Sequence, residues 1–201
     1  MKILVTAFEP FGGETVNATG ALLSALPETA AGAALLGETL PVVFTQAARE
    51  LRALLDRHTP DAVLCLGQYG GSPALSLERV AINIAHGGAD NAGDAPHHRP
   101  VVPGGPDAYF AKLPLDDILE AARQAGAPMI LSNTAGTYVC NTVMYTLLDA
   151  MAGGASPKLG GFLHVPSTPA QALGRSLPSM ETSTALRGVL AALTVMAGRL
   201  Q

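Results

Sequence analysis

Apolar and polar positions along the chain fall into two kinds of run. Short, nearly continuous apolar runs occur at residues 2–7 (KILVTA), 35–43, 62–66 (AVLCL), 129–131 and 160–165. Their length and lack of alternation predict strands, those at 2–7 and 62–66 buried on both faces. Between them lie longer stretches whose apolar residues recur at helical spacing. Residues 18–26 predict a helix capped by Asn17 and closed by Pro27. Residues 44–57 carry Phe44, Ala47, Ala48, Leu51, Leu54 and Leu55, and Pro60 stops them. Residues 115–125 begin after Pro114 with Asp116 and Asp117 in the first turn, where acids suit the dipole, and Gly126 ends them. A further helix runs from Cys140 through Val143, Met144, Leu147 and Leu148 to Met151, and a long last one covers 180–200. Residues 75–85 (LSLERVAINIA) predict a bent or paired strand. Residues 8–13 and 86–106 read as loops, the second long enough to be a lid, an arm or an oligomer contact.

This alternation predicts one α/β domain over residues 1–201, three-layer α/β/α, with helices on both faces of a mostly parallel, twisted mixed sheet. Ligands of such folds bind outside the carboxyl ends of strands. The Phe8 loop, the Gly67–Gly71 turn containing Gln68, Cys140 and His164 all follow or end predicted strands, so the fold class itself brings them to one edge.

Composition narrows the partners. Hydrophobic residues make up 48% of the 201 and charged residues 14%, with a net charge of −4. There is no basic footprint for nucleic acid or an anionic membrane. The uncharged stretch 125–148 is interrupted by Gly126, Pro128, Gly136 and several Ser, Thr and Asn, so it does not read as a membrane span. The first apolar run is too short for a secretory signal, and two cysteines make no disulfide framework. A reducing cytoplasm is the expected location.

The two cysteines differ in context. Cys65 lies inside a buried strand and reads as a core residue. Cys140 sits at the predicted start of a helix just beyond a strand end, where unpaired N–H groups and the dipole favour an anionic sulfur. Glu78 lies in an otherwise apolar run, either in a surface pair with Arg79 or as a buried carboxylate serving a site. His164 ends the last strand before Pro166. Asp90, Asp94, His97 and His98 fall together in the long loop, but their spacing matches no recognised metal site, and none is expected.

Five motifs in order, TAFEPFGGETVNAT (6–19), LGQYGGSPALSLERVAINI (66–84), DNAGDAP (90–96), SNTAGTYVCN (132–141) and GFLHVPSTPAQ (161–171), carry a resemblance over essentially the whole chain. The chain resembles the pyrrolidone-carboxylate peptidases, or pyroglutamyl peptidases I, a family of cysteine exopeptidases. The resemblance implies a catalytic triad of Glu78, Cys140 and His164 and an acyl-enzyme on Cys140, with no metal or organic cofactor. It implies substrate-binding roles for Phe8, Phe11, Gln68 and Tyr138, pyroglutamyl peptides as substrates, and a homo-oligomer, dimer or tetramer. Family members commonly carry an arginine after the strand ending near Ile84, associated with oxyanion stabilisation; here the segment is Ala85-His86-Gly87-Gly88-Ala89. That departure leaves the backbone N–H groups of 139–141, or His86, as the expected oxyanion donors. It also leaves open the alternative of a pyroglutamyl-binding protein with weak or lost turnover.

Overall fold

In the computed structural model, which describes residues 1–201, the predicted strands come together as one mixed sheet. Its members are β1 (Lys2–Phe8), β2 (Thr29–Ala30), β3 (Ala33–Leu40), β4 (Ala62–Gln68), β5 (Leu75–Glu78), β8 (Met129–Ser132) and β9 (Leu159–Val165), in the order β2-β3-β1-β4-β9-β5-β8. A separate two-stranded ribbon pairs β6 (Val80–Ile82) with β7 (Ala108–Phe110). The helices are α1 (Ala18–Ser24), α2 (Phe44–His58), α3 (Leu115–Gln124), α4 (Val139–Ala152), α5 (Pro169–Ala172) and α6 (Thr182–Leu200).

The alternation of side chains along each strand divides the core in two. Leu4, Val63, Cys65 and Phe162 point to one face and pack against α2 and α4. Ile3, Val5, Leu64, Leu66, Leu75, Leu77, Leu163 and Val165 point to the other, against α1, α3 and α6. The three-layer architecture therefore stands as predicted. No helix is long and apolar enough to cross a membrane.

Several predicted boundaries move. Phe8 is the last residue of β1, not part of the loop, and its ring joins the core. The second long strand ends at Leu40, because the chain turns at Pro41 toward α2. Residues 75–85 are not continuous: the chain leaves the main sheet at Arg79, and β6 pairs instead with β7, which the sequence did not suggest. The long segment after β6 is pinned throughout. Asn83 donates to Val102 O and Gly105 O and accepts from Val102 N–H. Buried Asn141 on α4 bonds both Ile82 and Ile84.

One topological detail positions the site. β1, β3, β4 and β9 are parallel, but β5 runs antiparallel to β9, and β8 is parallel to β5. The carboxyl ends of β1, β4 and β9 thus share one edge, whereas β5 and β8 end on the opposite side. The expectation that the Phe8 loop, Gln68, Cys140 and His164 leave carboxyl ends on one edge holds for Phe8, Gln68 and His164. It fails for Cys140, which follows the reversed β8 and reaches the site only after the 133–138 connection, and the reversal of β5 is what makes Glu78 useful.

Candidate active site

Antiparallel pairing sets Glu78 directly across from Phe162 and Ser76 across from His164. Residues two apart on a strand share a face, so Glu78 is the diagonal neighbour of His164, within reach of a long side chain. The two meet: His164 Nδ1 is 2.7 Å from Glu78 Oε1, and both residues are buried. A carboxylate only accepts, so Nδ1 carries the proton and Nε2 faces away from Glu78. Glu78 does not pair with Arg79, whose guanidinium turns outward to Asn133. The second carboxylate oxygen, Oε2, is buried without a protein partner. Such a group is costly to bury for structural purposes alone.

Cys140 reaches the same place from above the sheet. It is the second residue of α4, whose first turn has no side-chain cap, and Thr142 N–H is the first to bond back, to Tyr138 O. The N–H groups of the residues before Thr142 therefore remain available at the positive end of the helix. The Sγ atom lies over Gly67 of β4, the register neighbour of His164 on β9. A Cβ on Gly67 would stand 2.9 Å from that sulfur and 2.6 Å from the Phe162 ring, so glycine is what lets the thiol descend to the histidine.

The imidazole registers both neighbours. Burial alone would pull the His164 pKa down. The nearby Cys140 charge and the hydrogen bond to Glu78 outweigh it and raise the pKa to about 9. The imidazole is thus protonated at neutral pH and placed beside the sulfur. Cys65 has the opposite fate: burial pushes its thiol up to about 12, leaving it inert as the sequence suggested.

These groups open into a cavity of about 680 Å³ lined by Phe8, Phe11, Gln68, Tyr138 and the three triad candidates, among others. All four predicted substrate-binding residues therefore reach one cavity. Tyr138 caps α4, stacks edge-on against Phe44 with centroids 5.0 Å apart, and donates its hydroxyl to Ala89 O. Gln68 Oε1 accepts from Ala18 N–H at 2.7 Å and from Gln171 Nε2 at 3.1 Å. Its own amide N–H groups are thereby left for the cavity. Glu78 is the sole acidic residue of the lining.

Three parts of the sequence reading change. His86 does not line the cavity and is not positioned as an oxyanion donor. Asn17, read only as a cap, does line it while holding that cap. Gln171, which orients Gln68, was not singled out. Its signal was present in Thr168-Pro169-Ala170-Gln171, a capping box with proline at the first helical position.

Comparison with known proteins identifies the family and the fold. The pyroglutamyl peptidase family model matches residues 1–199. The pyrrolidone-carboxylate peptidase of Thermococcus onnurineus is 45% identical over 188 residues, 93% of this chain and 94% of that one. The pyrrolidone-carboxylate peptidase of Gloeobacter violaceus is 44% identical over 201 residues, covering 98% and 97%. Among solved structures, pyroglutamyl peptidase I of Bacillus amyloliquefaciens superposes with a TM-score of 0.94 at 36% identity, covering 100% of this chain and 98% of that one. A mutant pyrrolidone carboxyl peptidase of Pyrococcus furiosus gives 0.96 at 38% identity, covering both chains fully. With its sheet order, its buried Glu–His pair and its helix-borne cysteine set beside these matches, the chain belongs to the pyroglutamyl peptidase family.

Proposed function

We propose that this protein is a thiol exopeptidase that hydrolyses the bond after an N-terminal pyroglutamyl residue, through Cys140, His164 and Glu78. The observation that carries the reading is the 2.7 Å His164–Glu78 pair beside the Cys140 sulfur at the floor of an apolar cavity.

The steps follow from the positions. The Cys140 sulfur adds to the carbonyl carbon after the lactam ring, and the tetrahedral oxygen takes hydrogen bonds from backbone N–H groups at the α4 start. His164 gives its Nε2 proton to the departing amine, and the C–N bond breaks to leave a thioester. Water, deprotonated by the now neutral His164, then attacks the thioester, returning the proton to the pair and releasing pyroglutamate. Glu78 holds Nδ1–H throughout and stabilises the imidazolium.

Substrate choice has a physical basis in the same cavity. A pyroglutamyl group is a flat, neutral lactam, suited to walls formed by Phe8, Phe11 and Tyr138. The free amide N–H of Gln68 offers a donor for the lactam carbonyl. An ordinary N-terminal ammonium would find no carboxylate but Glu78, whose Oε1 is held by His164 and whose Oε2 is buried. That leaves an unpaired charge to be desolvated, which disfavours it strongly. A homo-oligomer working in the cytoplasm belongs to the same proposal; Phe110 on β7, 69% exposed, supports a further contact surface.

The test is release of a fluorophore from a pyroglutamyl amide. Activity is expected to disappear in Cys140→Ala and after thiol alkylation, while the corresponding alanyl amide is not cleaved by the native chain. Full activity in Cys140→Ala would overturn the proposal.

A further inference from the structure

Outside the catalytic cavity, three imidazoles meet in the long segment after β6. One ring nitrogen from each of His86, His97 and His98 lies within 4.8 Å of the others. The His86 and His98 rings are stacked at 4.4 Å, and His97 stands nearly perpendicular to His98 at 4.5 Å. The backbone explains the gathering. Ala85 and Arg99 exchange both hydrogen bonds, at 2.7 and 3.0 Å, and Gly87 N–H donates to Pro96 O at 3.2 Å. Between these two ties, His86 on one strand faces both His97 and His98 on the other. Two residues against one is the arrangement of a bulge, a device that re-aims side chains.

His98 also adopts a left-handed backbone, φ +52°, in a non-glycine residue. Adjacent residues of an extended strand point to opposite sides. The left-handed turn at His98 allows two consecutive imidazoles to share one side, at a cost of about 1 kcal/mol or more. His86 Nδ1 is buried and has no hydrogen-bond partner in the protein. The neighbouring cation does not oppose a second one, because Arg99 is paired with Asp94.

We propose that His86, His97 and His98 form a binding site for a divalent transition-metal ion of the zinc type, separate from the catalytic thiol. Three neutral imidazoles with an open fourth position suit Zn²⁺, Ni²⁺ or Cu²⁺ rather than Mg²⁺ or Ca²⁺. Zinc–nitrogen bonds of about 2.0–2.1 Å require nitrogens about 3.4 Å apart with converging lone pairs, so the exposed His98 ring must turn out of its stack on His86 to bind. The ion would tie both strands of the segment that carries Gly87 and Ala89. Gly87 packs so closely on Tyr138 that a Cβ would stand 2.8 Å from the ring, and Ala89 O accepts the Tyr138 hydroxyl. The ion's effect would therefore be to stiffen the support of one cavity wall.

The test separates this site from the reactive thiol. A full-length, tag-free Cys140→Ala chain is titrated with ZnCl₂ by calorimetry and with Co²⁺ by visible absorption. The expected result is one equivalent of zinc, a cobalt spectrum without a thiolate charge-transfer band, and a raised thermal midpoint. Adding His98→Gly, which suits the left-handed backbone and so keeps the fold, is expected to weaken zinc binding about 100-fold or more. His97→Gln is expected to do the same. Equal zinc affinity with and without His98, or no uptake by Cys140→Ala at ~1 mM zinc, a Kd too weak for a built site, would overturn the proposal.

Discussion

The chemistry of the site rests on a few atoms whose environments can be altered singly. Glu78→Gln keeps the shape next to His164 Nδ1 and removes the charge. The expected outcome is a fall in kcat of roughly 10²–10⁴-fold, the range of acid–base contributions. The sign of the pH effect follows from the His164 pKa. It is raised to about 9, against burial, by Cys140 and Glu78 together, so the imidazolium persists through neutral pH. The alkaline limb of kcat/KM is expected near pH 9 in the native chain and at lower pH in Glu78→Gln. A pH–rate profile with NMR titration of the His164 ring checks both; an unmoved limb would count against the triad. Gly67→Ala tests the approach of the sulfur. Its Cβ would collide with the Phe162 ring and Sγ, and the expected result is about 100-fold lower kcat, as for a nucleophile displaced by about 1 Å. Overpacking should also cost about 1–3 kcal/mol of stability, read from a denaturant titration.

At the scale of elements, one carboxylate ties the long segment after β6 to the start of α2. Asp90 Oδ2 accepts Phe44 N–H at 2.9 Å, capping α2 from a distance, since Val43 has no side chain able to do so. Its Oδ1 accepts from Ala92 and Asp94 in its own turn. Burial would raise this carboxyl, but the N–H donors outweigh it and hold the pKa below the usual range. Asp90→Ala is therefore expected to cost about 1–2 kcal/mol, measured by urea unfolding at neutral pH. A lowered pKa means the contribution is present above the unfolded value and is lost as pH falls, so native and variant stabilities should converge in acid. The sequence placed Asp90 in a loop and weighed it as a metal ligand. Nothing in its local spacing indicated a cap for a helix beginning at residue 44.

Across the whole molecule, two of the shifted groups, His164 and Asp90, pull stability in opposite directions. His164, raised from 6.5, contributes stability that is complete below pH 6.5 and is lost as pH rises through about 9. Asp90, lowered from 3.8, contributes above that value and is lost in acid. Stability from these groups is therefore expected to peak in the mildly acidic range and to decline toward pH 9. Thermal midpoints across pH would show it, and a native midpoint flat from pH 6 to pH 9 would contradict the His164 assignment. Activity and stability then share an alkaline limit, because the protonated His164 that stabilises the fold is also the proton donor of the reaction.

How much was legible beforehand follows from the range of the forces involved. Apolar periodicity is local, and it determined the buried strands, the α2, α3, α4 and α6 helices, and their layering on two faces. The position of Cys140 at a helix start was readable for the same reason. Which residue it would meet was not readable from periodicity; only the motif resemblance named His164 and Glu78. Glu78 reaches His164 because β5 runs antiparallel to β9, and strand direction is chosen by long-range packing that leaves no periodic trace. The bulge that gathers His86, His97 and His98 and the distant cap from Asp90 are of the same kind. The sequence by itself determined the main strands and helices and the chemical inventory, since those depend on side chains a few positions apart. Only the tertiary structure decided the pairings, since a hydrogen bond between residues far apart in the chain exists only after the sheet has fixed their register.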